Sequence, residues 1–140
     1  MSSRHRAREY VLKALYAYEL GEQSREEVCE SIIAHGGLDD TDFDFARDLF
    51  VKTVDRIREI DDYISSLATN WNLERLAVVD KNILRIAICE VKNIPDIPIK
   101  VAVNEAIELA KKYSTMESAA FVNGILDRVM REFEESEKEG

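Results

Sequence analysis

Arg4, His5, Arg6, Arg8 and Lys13 crowd the start of the chain, and side chains of these types at this spacing are suited to holding phosphate groups. Cations that neutralise phosphates release the counterions condensed along a nucleic acid, and that release drives binding without a rigid site geometry. The first thirteen residues carry four cations against one anion, Glu9, while the other 127 carry 15 cations against 27 anions, and the formal net charge is -9. An acidic body repels nucleic acid, whereas a short basic end gives it a local docking point. The pattern implies RNA binding at this end and a different kind of partner elsewhere. The plain alternative is that these residues are only solvated.

Other chemistry finds little support. Nucleotide sites need glycines where backbone amides close on phosphate, yet the chain has five glycines and no Walker or dinucleotide fingerprint, so no cofactor is expected. His5 and His35 form no helical metal pair. The run Asp40, Thr41, Asp42, Phe43, Asp44 begins like a calcium loop but places Phe45 where the turn demands glycine and Val51 where a bidentate glutamate is needed. Acids entering a helix favour the positive end of its dipole, which accounts for that run. With 28 acidic residues, imaginable acid and base pairs arise by chance. Cys29 and Cys89 each sit in an apolar periodic stretch, as small buried hydrophobes do in a reducing cytoplasm. No stretch approaches the roughly 18 apolar residues of a membrane span, and the start lacks the apolar run of a signal peptide.

These residues must be positioned by helices. Ala7, Tyr10, Val11, Ala14, Leu15 and Tyr18 recur at three- and four-residue spacing, and Gly21 supplies a stop. At about 100° per residue, Ala7, Tyr10, Val11, Ala14 and Tyr18 cluster on one side and His5, Glu9, Lys13 and Tyr16 on the other, which makes Tyr16 an aromatic on the wet face. Ser24 and Glu27 form a capping box, and Gly36 with Gly37 ends the helix that follows. The stripe Phe45, Leu49, Phe50, Val54, Ile57, Ile60, Ile64, Leu67 predicts one helix of roughly seven turns opening at Thr41. A short piece near Trp71 to Leu76 leads to a helix that stops before Pro95. Another starts at Pro98, and a last one follows Ser118. Helical phase passes through Asn123 and Gly124, which implies close approach of two helices there, and the tail from Glu132 to Gly140 is expected to fray. With no strand-like alternation the fold class is all-α: about seven helices in two small three-helix bundles sharing one interface, within a single domain spanning 1–140. The seam falls near Thr69 to Asn72, giving subdomains of about 1–69 and 70–140.

Four segments, RHRAREYVLKALYAYEL, VVDKNILRIAICEV, IPIKVAVNEAIELAKKY and FVNGILDRV, resemble the bacterial NusB family of transcription antitermination factors in order and spacing, from Arg4 to about Val129. The resemblance implies two three-helix subdomains, no catalytic activity, and binding to boxA, a short RNA element of ribosomal RNA leaders. It implies pairing with NusE, a small-subunit ribosomal protein, and loading of boxA onto the RNA polymerase elongation complex with other Nus factors.

Carried over residue by residue, the arginine-rich RNA-binding segment falls on Arg4, His5, Arg6 and Arg8, beside Lys13. Tyr16 and Asp80 fall at the NusE surface, and Glu117, Ser118 and Phe121 near the RNA. Two positions depart from the pattern: His5 replaces an arginine that many members have, and Ala120 stands where some relatives carry a base. Asn104, Glu105, Asn123 and Gly124 read as packing or capping residues. A helical adaptor without intrinsic RNA specificity is the alternative function. The same helical domain also resembles the N-terminal part of certain ribosomal RNA cytosine methyltransferases, which need a following cofactor domain.

Overall fold

The computed structural model describes residues 3–67 and 76–139, with side chains over 4–67 and 76–136. Among these residues every regular element is helical: α1 (Ser3–Leu20), α2 (Arg25–Val28) running into a π-helical turn (Cys29–Ile33), α3 (Asp40–Asp55), α4 (Ile57–Leu67), α5 (Val78–Asn93), α6 (Ile99–Tyr113) and α7 (Met116–Glu139). The expected seam near Thr69 to Asn72 and the piece from Trp71 lie outside the described residues.

α5 is the centre. Ile83, Leu84, Ile86, Ala87, Ile88 and Cys89 are all buried, as befits a central helix covered nearly all round. α1 packs between α3 and α5, and α5 also meets α4, α6 and α7. Ala7 and Ala14, both fully buried on α1, present little bulk to its neighbours. The helix ends as expected at Gly21, whose N–H donates to the Ala17 carbonyl at 2.9 Å.

The caps follow the sequence closely. The Ser24 hydroxyl accepts from the Glu27 N–H at 3.2 Å and the Glu27 carboxylate accepts from the Ser24 N–H at 3.5 Å, closing the capping box. Asp39 accepts from the Asp42 N–H at 2.8 Å, so the acidic run serves as the N-cap and first turn of α3. Gly37, at φ 72°, takes the left-handed conformation that ends the preceding segment. The Thr115 hydroxyl accepts from the Ser118 N–H at 3.1 Å, so α7 begins at Met116, earlier than the expected start after Ser118.

Three expectations are corrected. The predicted long helix is two, broken at Arg56 (φ -112°, ψ 19°) just after Thr53, whose hydroxyl donates back to the Leu49 carbonyl at 2.7 Å. Its stripe keeps phase across the break, but α3 packs on α1 and α5 while α4 turns Ile60, Ile64 and Leu67 onto α5 and α7. A periodic stripe records that a face is buried, not against what. Gly124 is no point of close approach: a Cβ there would meet open space, and nothing in the structure explains the glycine. The tail does not fray at Glu132, because α7 continues to Glu139. Glu132 accepts from the Tyr63 hydroxyl, and Phe133 meets the Tyr63 ring edge-on at 5.8 Å.

Candidate nucleic-acid interface

The structure divides the basic segment by burial. Arg8, 2% exposed, sends Nε to Glu90 Oε1 at 2.6 Å and Nη2 to Glu90 Oε2 at 2.8 Å, forming a forked ion pair in the core. Burial pushes the Glu90 carboxyl up, and the Arg8 bonds oppose that shift. His5 is buried too, its Nδ1 2.6 Å from Glu105 Oε2 and its Nε2 3.8 Å from Glu9 Oε1. The expectation that Arg8 and His5 face phosphate is therefore corrected. α1 is covered on more than one flank, and α6 closes over the side that helical counting assigns to solvent.

Arg6 and Lys13 do reach solvent. They flank the half-buried Tyr10 ring, with the Arg6 guanidinium carbon 5.8 Å and the Lys13 Nζ 5.0 Å from its centroid. Arg6 Nη2 also donates to the Gly36 carbonyl at 3.1 Å. Gly36 leaves room for the ring, since a Cβ there would stand 2.9 Å from Tyr10 Cζ. Arg4 is half-buried over the Phe45 ring at 4.7 Å. The resulting surface is an aromatic ring held between cations, while Arg4 lies over the same Phe45 ring as Arg8.

Sequence reasoning assigned Tyr10 to the inner face and missed its place between the cations. It also missed Lys112, whose Nζ donates to Glu9 Oε2 at 2.6 Å, while the Tyr113 hydroxyl donates to the same oxygen. Burial would raise the Glu9 carboxyl, but the hydrogen bonds from Lys112 and Tyr113 outweigh it and leave it lowered. The one signal was the run Lys111, Lys112, Tyr113, which reads equally well as cations complementing the dipole at a helix end.

Glu117 and Phe121 share one side of α7, with Ser118 beside them; Glu117 is exposed, Ser118 and Phe121 half-buried. On the opposite flank a cavity of about 470 Å³ is lined by Lys111, Ser114, Thr115, Met116, Ala119, Ala120 and Asn123. Asn123 Oδ1 is buried there without a hydrogen-bond partner. Tyr16 is 44% exposed, one turn before the more exposed Leu20. Asp80 is not on the surface: it is 2% exposed and accepts from the Ser114 hydroxyl at 2.5 Å. That bond pins the first turn of α5 to the end of α6, so the expectation of Asp80 at a partner surface is corrected. Nearby, Arg85 donates from Nη2 to Asp61 at 2.7 Å and from Nη1 to Glu19 at 3.3 Å, and Lys81 bonds Glu19 at 2.5 Å. Among the described residues no group of His, Cys, Asp or Glu is placed to hold a metal ion, and no helix is long and apolar enough to cross a membrane.

Fold and surface define an all-α protein with a small cationic patch. The chain belongs to the NusB family, whose model matches residues 5–131. It is 44% identical to the transcription antitermination protein NusB of Thermodesulfovibrio yellowstonii, with 92% of each chain covered. It is 43% identical to that of Chloroherpeton thalassium, where the match covers 93% of this chain and spans 62% of the relative's length. Among solved structures it resembles NusB of T. maritima at a TM-score of 0.86 and 41% identity, covering 94% of this chain and 93% of that one. It also shares the fold of a chain from the complex of antitermination factors NusB and NusE with dsRNA, at a TM-score of 0.84 and 24% identity, over 94% and 98% of the two chains. The family is one of antitermination factors and not of enzymes.

Proposed function

We propose that this protein is an RNA-binding antitermination factor acting in the cytoplasm. With NusE it binds boxA RNA of ribosomal RNA leaders and is carried with other Nus factors on the RNA polymerase elongation complex. The observation that carries the reading is the Tyr10 ring flanked by exposed Arg6 and Lys13 on a protein of net charge -9. Cations beside an aromatic face match a single-stranded nucleic acid, whose phosphates need neutralising and whose unpaired bases need a stacking surface. The family and the named components of the NusB, NusE and dsRNA complex support the same partners. Arg4, Arg6 and Lys13 meet phosphate, while Arg8 and His5 shape α1 from inside. Glu117, Ser118 and Phe121 form a second contact at the start of α7. Tyr16 serves NusE, and a basic ribosomal protein there offsets the repulsion between an acidic body and RNA. The chain acts as a single domain.

The test is RNA binding with and without NusE, using boxA and a scrambled control at one fixed salt concentration. Tighter binding of boxA by the pair than by the lone protein is expected. Equal affinity for boxA and the scrambled RNA would leave a helical adaptor in its place.

A further inference from the structure

We propose that Lys112 is a further RNA-binding residue and that Glu9 is its positioning residue, with Tyr113 as the second holder. The proposal rests on the reading that the α1 cations meet RNA. Glu9 stands three residues after Arg6 and four before Lys13, on the same side of α1. A carboxylate between two phosphate-binding cations would by charge alone weaken the site. The structure gives it another task.

The Glu9 side chain is only 13% exposed, and one of its oxygens accepts from both Lys112 Nζ, at 2.6 Å, and the Tyr113 hydroxyl. The Lys112 side chain is 52% exposed, so its ammonium is anchored on one side and open on the other. An ammonium has three donors, and the bond to Glu9 uses one. Lys112 Nζ also lies 5.4 Å from the Tyr113 ring centroid, which further limits where the head group sits. A lysine at the end of α6 is thus fixed against α1 at Glu9, which lies between Arg6 and Lys13 in the chain. α7, which bears Glu117, Ser118 and Phe121, begins immediately after α6, so Lys112 stands in the chain between the two proposed contact groups. The clamp makes one phosphate-binding surface from two helices.

The discriminating variant is Glu9→Gln. If Glu9 merely repels phosphate, its removal tightens RNA binding; if it positions Lys112, removal weakens it. Binding of boxA RNA to each variant in complex with NusE is measured by fluorescence anisotropy over a salt series, with a melting curve for each protein. Lys112→Met should weaken binding about three- to tenfold and reduce the salt slope by roughly 0.7, the share of one phosphate on a single strand. Glu9→Gln should do much the same, and the double variant should be no worse than Lys112→Met alone, because the two residues act as one unit. Should Glu9→Gln fold poorly, Tyr113→Phe decides, since it keeps charge and bulk while removing one holder. An about twofold loss of affinity is then expected. Unchanged or tighter RNA binding by Glu9→Gln, or by Tyr113→Phe where that variant decides, overturns the proposal, as do fully multiplicative losses in the double variant. If the wild-type pair does not prefer boxA over the scrambled RNA, the RNA reading itself has failed; if it does and Lys112→Met binds like wild type, only the clamp has.

Discussion

Arg6 and Arg8 stand two residues apart on one helix, and the structure assigns them opposite fates. Arg8→Met removes the guanidinium that holds both oxygens of Glu90 at 2.6 and 2.8 Å, and leaves a fully buried carboxylate with no forked partner. Removing one member of a buried pair costs about 3 to 5 kcal/mol, because the surviving charge is stranded in a medium that solvates it poorly. For a chain of this size each kcal/mol moves the melting temperature by about 3 to 4 °C, so a fall of roughly 10 to 20 °C is expected. Arg6→Ala should cost no more than about 1 kcal/mol, since its side chain is exposed and gives up only the hydrogen bond to the Gly36 carbonyl. It should instead lower the salt slope of RNA binding by roughly 0.7.

The Arg8 loss also carries a pH signature. Burial already raises the Glu90 carboxyl above the usual carboxylate range, and without Arg8 it rises further. A carboxyl raised in the folded state contributes stability that is complete below its unfolded pKa and lost as pH climbs through the folded value. The deficit of Arg8→Met relative to wild type should therefore be smaller at pH 5 than at pH 8. Arg8→Met combined with Glu90→Met should recover most of the loss, because an apolar pair of similar volume strands no charge. The assay is thermal and urea unfolding of the four proteins at both pH values. An Arg8→Met deficit below about 1 kcal/mol, or one indifferent to pH, would refute the stranded-charge argument.

Leu15→Ala, at a fully buried site on α1, should cost about 2 to 5 kcal/mol through lost burial and an unfilled space, measured by denaturant unfolding. Tyr16→Ala should leave stability nearly unchanged and weaken NusE binding by about 1 to 3 kcal/mol in calorimetric titration; a matching drop in melting temperature with NusE affinity intact would place Tyr16 in the core. Gly36→Ala puts a Cβ 2.9 Å from Tyr10 Cζ, so the ring must tilt out from between Arg6 and Lys13. Because the ring's free end can yield, the stability cost should sit near the low end of the about 1 to 3 kcal/mol typical of overpacking, while boxA affinity falls. Asp80→Ala should lower stability by about 1 to 2 kcal/mol, as expected when the Ser114 hydroxyl loses its acceptor, and an unchanged melting curve would contradict its buried role.

What could be read from the sequence followed from signals that are local in the chain. The capping box at Ser24, the stops at Gly21 and Gly37, and the breaks around Pro95 and Pro98 each depend on a few neighbouring residues, and each stands where expected. The errors at the long helix and on α1 share one cause: periodicity reports that a face is covered without naming the cover. α3 and α4 keep one apolar phase yet serve different neighbours. On α1 the same blindness matters more, because a helix enclosed on several flanks has too little wet face for all of its charges. Arg8 and His5 turn inward, where Glu90 and Glu105, 82 and 100 residues away in sequence, supply their partners. Such pairings have no local signature. An arginine-rich segment thus contains two populations that look alike in sequence, those that neutralise the core and those that can neutralise RNA. The charge available to RNA is set by how many buried carboxylates the core must satisfy first.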